Sequence, residues 1–354
     1  MHQATLFPEI LDPPAGSLRD RDNRFYSLLA GGARTRLLEG FLELKIPELL
    51  GAEGPLTAAE ICRRLSLHPH RGWKFLHLLA LTGLLDEQGG ADGGDFAIYG
   101  LSATTKEYFG AEGTGGYFFR DLVNYWRNVA ILPLAHVLGG MPLPEAVRWP
   151  PPGEEAAVHL ETWMRVTAEG AIKALHHSGA MHGAGRLLDV GGGDGTIGCA
   201  LAHEYPQLQV TVFNLPASAA LARRTILERR FTSRVVVYEG NFLEDELPGG
   251  FDRVLFSRVL TDWDAGVCRM LFEKSRRALA PGGVLVINEA FVDGNLDYTI
   301  AWEFRYLFYD TFGRAMFKPL EVYRQLLADA GFAITKVSPM LDDAFYSVIE
   351  AKAI

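Results

Sequence analysis

The residues best suited to chemistry are the glycines of Gly191–Gly195, which follow directly on RLLDV, a run typical of a buried strand. A helical pattern begins after them, so the glycines lie between a strand and a helix. An open α/β sheet binds its cofactor at such a place, because glycine lets the backbone approach a ligand that a side chain would displace. The segment therefore predicts a cofactor site that includes Asp189, Gly191, Gly193 and Gly195.

Two kinds of cofactor fit this segment. Gly193–Gly198 satisfies GxGxxG, the dinucleotide fingerprint, although that match alone is weak. Asp189 followed by GxGxG instead indicates S-adenosylmethionine, and the turn at Leu279–Gly283 before the strand VLVINEA fits the same cofactor. The second strand pattern ends at Asn214, where an acid normally binds the ribose hydroxyls. Asparagine still accepts one hydrogen bond and donates another there, without the charge of an acid. Asp189 with its glycines and the later turn favour S-adenosylmethionine.

Strand and helix patterns alternate from residue 186 onward, with helices of ~10 to 15 residues between the strands. This alternation predicts a mostly parallel, doubly wound α/β sheet, and hence a Rossmann-like domain. Upstream, Pro150–Gly153 interrupts the chain and indicates a linker. We therefore expect two domains, residues 1–153 and 154–354.

The N-terminal half has the pattern of a winged helix, a mainly α fold. Thr57 and Glu60 have capping-box spacing at the start of one helix, a second helix follows it, and glycines within 89–94 join two short strand patterns. A winged helix usually indicates DNA binding, but this one is hardly basic and the chain has a net charge of −9. We therefore expect a dimerisation domain that binds no nucleic acid.

The composition excludes several other classes of protein. The 354 residues are 48% hydrophobic and 22% charged, which predicts a large folded core and not a disordered chain. Cys62, Cys199 and Cys268 lie far apart and lack metal-ligand spacing, so no disulfide framework and no metal site are expected. With no targeting sequence and no apolar stretch of ~18 residues, we expect a cytoplasmic protein without a membrane partner.

Five motifs together resemble the two-domain small-molecule O-methyltransferases, the family of plant caffeic-acid and hydroxyindole enzymes and of bacterial antibiotic-pathway relatives. They are DVGGGDG from residue 189, FNLPAS from 213, GNFLED from 240, SRVLTDWD from 257 and LAPGGVLVINEAF from 279. The resemblance covers most of the chain and implies S-adenosylmethionine as cofactor, a small-molecule acceptor and a homodimer. It implies cofactor contacts at Gly191 for the methionine end, Asn214 and Leu215 for the ribose, Asn241 and Phe242 for the adenine, and Ser257 and Arg258 near the carboxylate.

The chain departs from this family at the catalytic position. Members that methylate phenols have a histidine base before the Asp-Trp pair, and Thr261 stands there instead. Two acids hold that histidine in the family; Glu289 matches the first, and the second, expected near Met316 or Phe317, is absent. Thr261 and Glu289 are the candidate catalytic residues, although a threonine with Asp264 three residues on is favoured as the N-cap of the next helix.

The acceptor pocket is expected along a predicted helix at about residues 299–310, where the resemblance places it. Trp302, Tyr306 and Tyr309 share one helical face there and Asp310 adds a charge, which suits a planar aromatic acceptor. An ordinary buried helix face explains these aromatics about as well. Met164 matches a pocket methionine of the family, although methionine is also a common core residue.

The missing histidine bears on the kind of acceptor. A phenol with a pKa of ~10 gains ~10²- to 10⁴-fold from deprotonation, whereas an amine, an enolisable carbon or an acidic enol or hydroxypyrrole needs less help. We expect O-methylation of a small aromatic or heteroaromatic acceptor in a bacterial secondary-metabolite or pigment pathway. The alternatives are C- or N-methylation, or a non-methylating reaction such as hydroxylation, decarboxylation or a pericyclic step. A winged-helix regulator with a vestigial ligand site is the non-enzyme hypothesis.

Overall fold

The computed structural model of the chain describes residues 18–89, 96–109, 116–142, 153–308, 317–342 and 344–354. It divides into two compact units, residues 1–131 and 132–354. This division lies before the proline-rich segment at which the sequence predicts a boundary, because the short helix Leu134–Leu138 contacts the 3₁₀ segment Phe304–Phe308 of the second unit. No helix in the described residues is long and apolar enough to cross a membrane.

The first unit is mainly helical, with three short strands. Its helices are α1 (Leu18–Glu43), α2 (Ile46–Glu53), α3 (Ala58–Arg64), α4 (Pro69–Leu81), α5 (Ala103–Phe109) and α6 (Gly116–Ala130), and its strands are β1 (Leu56–Thr57), β2 (Leu85–Gln88) and β3 (Ile98–Leu101). The strands form an antiparallel sheet in the order β1-β3-β2. The predicted order of helix, helix and hairpin is therefore present, while the glycine-rich tip at 90–95 lies outside the described residues.

Local sequence explains where the elements of this unit begin. Thr57 and Glu60 form the predicted capping box: the Thr57 backbone N–H donates to Glu60 Oε2 at 3.0 Å, and the Glu60 N–H donates to Thr57 Oγ1 at 3.3 Å. Helix α4 begins with Pro69, whose missing N–H has no intrahelical partner to lose. Behind these helices, Phe41, Ile61 and Tyr99 are fully buried in the core of the unit.

The second unit is built on a seven-stranded sheet in the order β6-β5-β4-β7-β8-β10-β9. Its strands are β4 (Arg186–Val190), β5 (Gln209–Asn214), β6 (Val235–Glu239), β7 (Phe251–Ser257), β8 (Leu279–Glu289), β9 (Phe332–Ser338) and β10 (Ser347–Ala353). β4 to β8 pair in parallel, and β10 pairs antiparallel with β8 and β9. The predicted doubly wound α/β fold is confirmed.

Helices connect these strands and cover the sheet. They are α7 (Leu134–Leu138), α8 (Glu154–Val166), α9 (Ala168–Ser178), α10 (Thr196–Glu204), α11 (Pro216–Glu228), α12 (Ala265–Ala278), α13 (Leu296–Glu303) and α14 (Leu320–Asp329). α13 ends at Glu303 and continues as a 3₁₀ segment, so the single helix predicted at 299–310 is interrupted. Trp302 and Tyr306 therefore lie in two different elements, and Tyr309 lies outside the described residues.

The chain changes direction across the sheet at β4. Leu188 of β4 pairs with Thr211 of β5 on one side and with Val254 of β7 on the other. The connections from β4 run outward through β5 to β6, and the chain then returns to β7 on the opposite side. Such a reversal opens a crevice at the carboxyl ends of the strands, which is where open α/β sheets bind their ligands.

Candidate functional site

The loop after β4 adopts a conformation that requires its glycines. Gly191, Gly193 and Gly195 have φ values of 70°, 57° and 80°, in the left-handed region that L-side chains rarely adopt. A Cβ on Gly191 would stand 3.0 Å from Val259 Cγ2, and one on Gly193 would stand 2.6 Å from Glu161 Oε2. The backbone of the loop therefore forms a cradle, because a side chain on Gly191 or Gly193 would meet a neighbouring side chain.

Asp189 lies buried beneath this cradle, with 1% of its surface exposed. Its Oδ2 has no hydrogen-bond partner among the described residues and stands 2.5 Å from where a Cβ on Gly192 would be. Burial raises the pKa of Asp189 to about 7. An unpartnered buried carboxyl oxygen is costly, so a cationic or hydrogen-bond-donating ligand in the cradle would relieve that cost.

Asn214 ends β5 beside the cradle, as the sequence predicts. Its Nδ2 donates to the carbonyl of Gly193 at 3.2 Å, and its Oδ1 accepts from the backbone N–H of Leu215 at 2.8 Å. The side-chain amide therefore connects the end of β5 to the glycine loop. In the folded chain this amide holds the two segments together.

One cavity collects most of the predicted cofactor residues. It is lined by Leu160, Glu161, Met164, Ala168, Asp189, Gly191, Gly192, Gly193, Asp194, Thr196, Ile197, Asn214, Leu215, Ser218, Phe242, Ser257, Arg258, Val259, Asp262 and Trp263. Gly195 and Asn241 do not line it. The orphaned carboxyl oxygen of Asp189 and the side-chain-free cradle both suit a cofactor of the S-adenosylmethionine type, with a cationic amino-acid end and a nucleoside.

The two predicted residues outside the lining have local structural tasks. Gly195 is the N-cap of α10, and a Cβ on it would contact Ile226 of α11 at 3.6 Å. Asn241 Oδ1 accepts from the N–H of Leu243 at 3.1 Å, which closes the turn after β6. That turn directs Phe242 into the cavity wall, where its ring meets Trp263 edge-on at 5.7 Å between ring centroids.

Ser257 ends β7 and Arg258 follows it, on the other side of the cradle. Arg258 has a φ of 59°, an uncommon conformation for a residue with a side chain. Its guanidinium donates to Thr167 Oγ1 at 2.8 Å and to the carbonyl of Met164, while Ser257 Oγ accepts from Asn288 Nδ2 at 3.0 Å. Arg258 thus connects the loop after β7 to the end of α8, and this contact fixes Met164 at the cavity.

Thr261 contacts Glu289 and does not cap the next helix. Thr261 Oγ1 donates to Glu289 Oε2 at 3.0 Å, within the 3₁₀ turn Leu260–Asp262. The N-cap of α12 is Asp264, whose Oδ1 accepts from the N–H of Val267 at 2.9 Å. The capping interpretation of Thr261 is therefore wrong, because the 3₁₀ turn ends two residues before the helix cap and turns the Thr261 hydroxyl toward β8.

Glu289 organises the whole turn from its buried position at the end of β8. Its Oε1 accepts the backbone N–H groups of Val259 and Leu260, both at 2.7 Å. Burial raises the pKa of Glu289 to about 7, although the hydrogen bonds from Leu260, Val259 and Thr261 act to lower it. The carboxyl group and the Thr261 hydroxyl are thus hydrogen-bonded to each other. Val259 and Asp262, which flank Leu260 and Thr261 in the chain, line the cavity.

Lys318 holds the same turn from the opposite side. Its Nζ donates to the carbonyl of Leu260 at 2.8 Å and to that of Trp263 at 2.7 Å, and the residue is buried. Near this position the family resemblance places a second acid, and the adjacent Phe317 is also no acid. The turn that carries Thr261 is therefore fixed by a buried carboxyl group on its N–H side and a buried ammonium group on its carbonyl side.

The predicted acceptor residues are only partly described. Met164 lines the cavity, and Trp302 is half-buried at the end of α13, outside the cavity lining. Tyr306 lies in the 3₁₀ segment and its side chain lies outside the described part, as do Tyr309, Asp310 and Met316 entirely. Trp302 belongs to an aromatic cluster with Trp163, Tyr298, Phe317 and Phe345.

Five polar residues of the cavity lining were not predicted from the sequence: Glu161, Asp194, Thr196, Ser218 and Asp262. The side chains of Glu161 in α8 and Ser218 in α11 form a hydrogen bond. For Glu161 the available signal was its spacing from Met164, since the two lie three residues apart and so share a helix face.

Known proteins resemble the chain over the part that contains this cavity. A family model described as the O-methyltransferase domain matches residues 154–333. The N,N-dimethyltransferase OxyT of Streptomyces rimosus is 30% identical over 268 residues, which cover 73% of this chain and 76% of that protein. Demethylspheroidene O-methyltransferase of Cereibacter sphaeroides is 27% identical over 349 residues, 94% of this chain and 87% of the relative.

A solved structure agrees with the fold. The S-adenosylmethionine-dependent methyltransferase SibL in its apo form superimposes with a TM-score of 0.74 at 24% identity, over 93% of this chain and 98% of that one. The matched family segment spans more than half of the chain and includes every residue that lines the cavity. The predicted family and cofactor are confirmed: the chain belongs to the O-methyltransferase family, whose members use S-adenosylmethionine.

Proposed function

We propose that this enzyme methylates a small aromatic or heteroaromatic acceptor whose nucleophilic atom needs little help to lose its proton. The observation that carries the proposal is the absence of a histidine among the described residues that line the cavity, together with the pairing of Thr261 to Glu289. A threonine hydroxyl that already donates to a carboxyl group is no substitute for an imidazole base. Proton removal by the protein is therefore not the main source of rate in this proposal.

The chain's own residues support catalysis by positioning. When bound, S-adenosylmethionine supplies an electrophilic methyl group, and in-line transfer depends on holding the nucleophile ~3 to 3.5 Å away in a site without water. Glu289 and Lys318 fix the turn that ends in Trp263, and Arg258 fixes the end of α8 that carries Met164. These contacts hold Trp263 and Met164, which both line the cavity, in place.

An aromatic acceptor is supported by an aromatic cluster that includes Trp163, the neighbour of Met164 in the chain. Trp163 meets Trp302 edge-on at 6.4 Å between ring centroids, and Tyr298 stacks on Phe345 at 4.7 Å. Aromatic rings in these arrangements present apolar faces and edges that suit another planar ring. In this proposal Trp302 and Met164 contact the acceptor, while Asp189, Asn214 and Phe242 hold the cofactor.

Oxygen is the proposed methyl acceptor, and nitrogen is the second candidate. O-methylation follows the family, whereas N-methylation is favoured by the 30% identity to an N,N-dimethyltransferase. A neutral amine is already nucleophilic, so the absence of a base costs it little. A bacterial secondary-metabolite or pigment pathway is the proposed setting, since relatives of the chain include a demethylspheroidene O-methyltransferase.

The test uses labelled S-adenosylmethionine and one acceptor scaffold whose hydroxyl pKa is varied by substituents, with the matching amines as a second series. We expect kcat/KM to rise as the acceptor pKa falls and, for each hydroxyl, to follow its ionised fraction as the pH changes. Rates that are equal across the series would contradict the proposal. Acceptor turnover without release of S-adenosylhomocysteine would indicate a non-methylating reaction instead.

We further propose that the enzyme is a homodimer joined through α1. The first half of the described helix exposes Tyr26, Leu28 and Leu29, while its last turns bury Phe41 and Leu42 in the core of the first unit. An apolar surface on a helix whose other end is firmly packed is typical of an interface. Light scattering at micromolar concentration tests this proposal against the monomer mass of 39.0 kDa.

A further inference from the structure

Glu161 is a buried carboxylate that the family resemblance does not explain. It lies in α8 with 6% of its surface exposed, and it lines the cavity beside the glycine loop. Burial raises its pKa to about 7, and the nearby carboxyl group of Asp194 also raises the pKa. No ion pair of Glu161 with lysine or arginine is found in the described part of the chain. Such a group is costly to bury unless something else in the folded, functional state hydrogen-bonds it.

The contacts of Glu161 place it at the second half of the glycine loop. Its carboxyl group accepts from the Ser218 hydroxyl and from the backbone N–H of Asp194. Oε2 would stand 2.6 Å from a Cβ on Gly193, so the absence of a side chain there is what admits the carboxyl group. A carboxylate has about four acceptor sites, and these two contacts leave about two of them for a ligand.

Asn214 lies at the same loop, and each end of its amide already makes one hydrogen bond within the protein. Both ends of its amide hold local structure, through the carbonyl of Gly193 and the N–H of Leu215. In related sheets the residue at the end of the second strand is an acid that binds the ribose hydroxyls. Here that position has no charge, and a carboxylate from α8 reaches the same loop residue, Gly193.

We propose that Glu161 binds the ribose hydroxyls of the cofactor and so replaces the acid that is missing at Asn214. The inference rests on the use of S-adenosylmethionine by this enzyme. A vicinal diol offers two donors, which matches the two acceptor sites that Ser218 and Asp194 leave unused. Hydrogen bonds from hydroxyls to a carboxylate are stronger than those to a neutral amide.

The methionine end of the cofactor is a less suitable partner for Glu161. Asp189 and Gly191 lie at the start of the loop, where the carboxyl oxygen without a partner is found. Glu161 instead contacts Gly193, Asp194 and Ser218, which surround the end of β5. The two buried carboxyl groups thus serve opposite ends of the ligand in this proposal.

Calorimetry with two probes separates the ribose from the amino acid. S-adenosylhomocysteine has both groups, whereas 5′-methylthioadenosine keeps the ribose and lacks the amino acid. At about pH 8, where Glu161 is largely ionised, we expect Glu161→Gln to weaken both probes by a similar factor of at least about tenfold. The exposed Glu155 of the same helix provides the matched control, and Glu155→Gln should bind both probes as wild type does.

A third probe, 5′-methylthio-2′,3′-dideoxyadenosine, completes a thermodynamic cycle that combines removal of the ribose hydroxyls with the change Glu161→Gln. Removal of the hydroxyls should weaken binding to the wild type and have little further effect on Glu161→Gln, because the two changes remove the same contact. Loss of S-adenosylhomocysteine affinity with unchanged 5′-methylthioadenosine affinity would overturn the proposal in favour of the ammonium group. Unchanged affinity for both would overturn it as well. If the wild type binds none of the probes, the cofactor assignment fails instead.

Discussion

The hydroxyl of Thr261 donates a hydrogen bond to Oε2 of Glu289 at 3.0 Å, and both residues are buried. Glu289 also accepts two backbone N–H groups of the same turn. Members of the family that methylate phenols have a histidine at the position of Thr261. In this chain the position is part of a hydrogen-bond network that shapes the turn, and the proposed function assigns no proton transfer to Thr261 or Glu289.

Thr261→Ala should lower stability more than turnover. The change leaves Glu289 Oε2 without its donor, which costs about 1 to 3 kcal/mol of unfolding free energy. We expect kcat per folded molecule to change by less than about tenfold, and Thr261→Ser to retain wild-type stability because it keeps the hydroxyl. Thermal unfolding and single-turnover rates measure the two effects. A large loss of kcat with unchanged stability would show that Thr261 acts on the acceptor.

Thr261→His should not raise activity on the native acceptor. Thr261 is 8% exposed, so the space around it is shaped for a small hydroxyl side chain and not for an imidazole. The comparison of kcat/KM between this variant and wild type, over a range of pH, measures the effect. A variant many-fold faster than wild type would mean that proton removal limits the rate, and it would return the enzyme to the class that uses a base.

Gly193→Val should abolish cofactor binding. A side chain here has an unfavourable positive φ, and its Cβ would stand 2.6 Å from Glu161 Oε2, in the space where the loop meets the cavity. Calorimetry with S-adenosylhomocysteine measures the loss. Gly51→Ala is the control, because Gly51 lies in α2 with nothing within 4 Å of the added Cβ, and it should bind as wild type does.

Lys318→Met should destabilise the second unit and slow turnover. It leaves the carbonyls of Leu260 and Trp263 without their buried donor, at a cost of about 1 to 3 kcal/mol for each group. The turn that carries Trp263 then loses one of its two supports. Chemical denaturation and kcat measure both effects, with Lys352→Met at an exposed position of β10 as the control. Equal stability of the two variants would exclude this role of Lys318.

Stability of the cofactor-free enzyme should fall as the pH rises toward neutrality. Burial raises the pKa values of Glu161, Asp189 and Glu289 to about 7, whereas unfolded acids titrate near ~4. Between these values the folded chain keeps protons that the unfolded chain has released. The stabilisation is complete below the unfolded pKa values and is lost as the pH rises through about 7, by at most ~1.4 kcal/mol per group and pH unit.

Glu161→Gln isolates one of these three contributions. Burial is the main cause of the raised pKa of Glu161; of its charged neighbours, Asp194 raises this pKa and Arg258 lowers it. Burial is therefore the expected source of the pH dependence that Glu161 contributes. We expect the variant to lose less stability than wild type between about pH 5.5 and about pH 7.5. Denaturant titrations at several pH values measure the difference. Parallel profiles would show that Glu161 is already ionised in the cofactor-free state.

Leu28→Glu together with Leu29→Glu should convert the proposed dimer to a monomer. Each leucine loses about 1.5 to 3 kcal/mol of burial in an interface, and the added charges repel across a two-fold axis. Light scattering follows the mass. Leu227→Glu is the control, since Leu227 is an equally exposed leucine on α11 of the second unit. A wild-type mass near that of one chain would contradict the proposal directly.

Much of this protein follows from local rules of the sequence. The glycines of the loop after β4, the capping box at Thr57 and the alternation of strands with helices each depend on neighbouring residues, whose steric and hydrogen-bonding preferences act over a few positions. The family motifs add the cofactor. These features could be predicted without coordinates, and they place the cavity at the end of β4.

Only the tertiary structure decided which hydrogen-bond partner each buried polar side chain has. Thr261 looks like a helix cap in the sequence because Asp264 follows it, but its partner Glu289 is 28 residues away on another strand. Glu161 likewise reaches the glycine loop from a helix that precedes it by many residues. Contacts between distant segments depend on how helices and strands pack, and a buried polar group takes whichever partner that packing brings within hydrogen-bond distance.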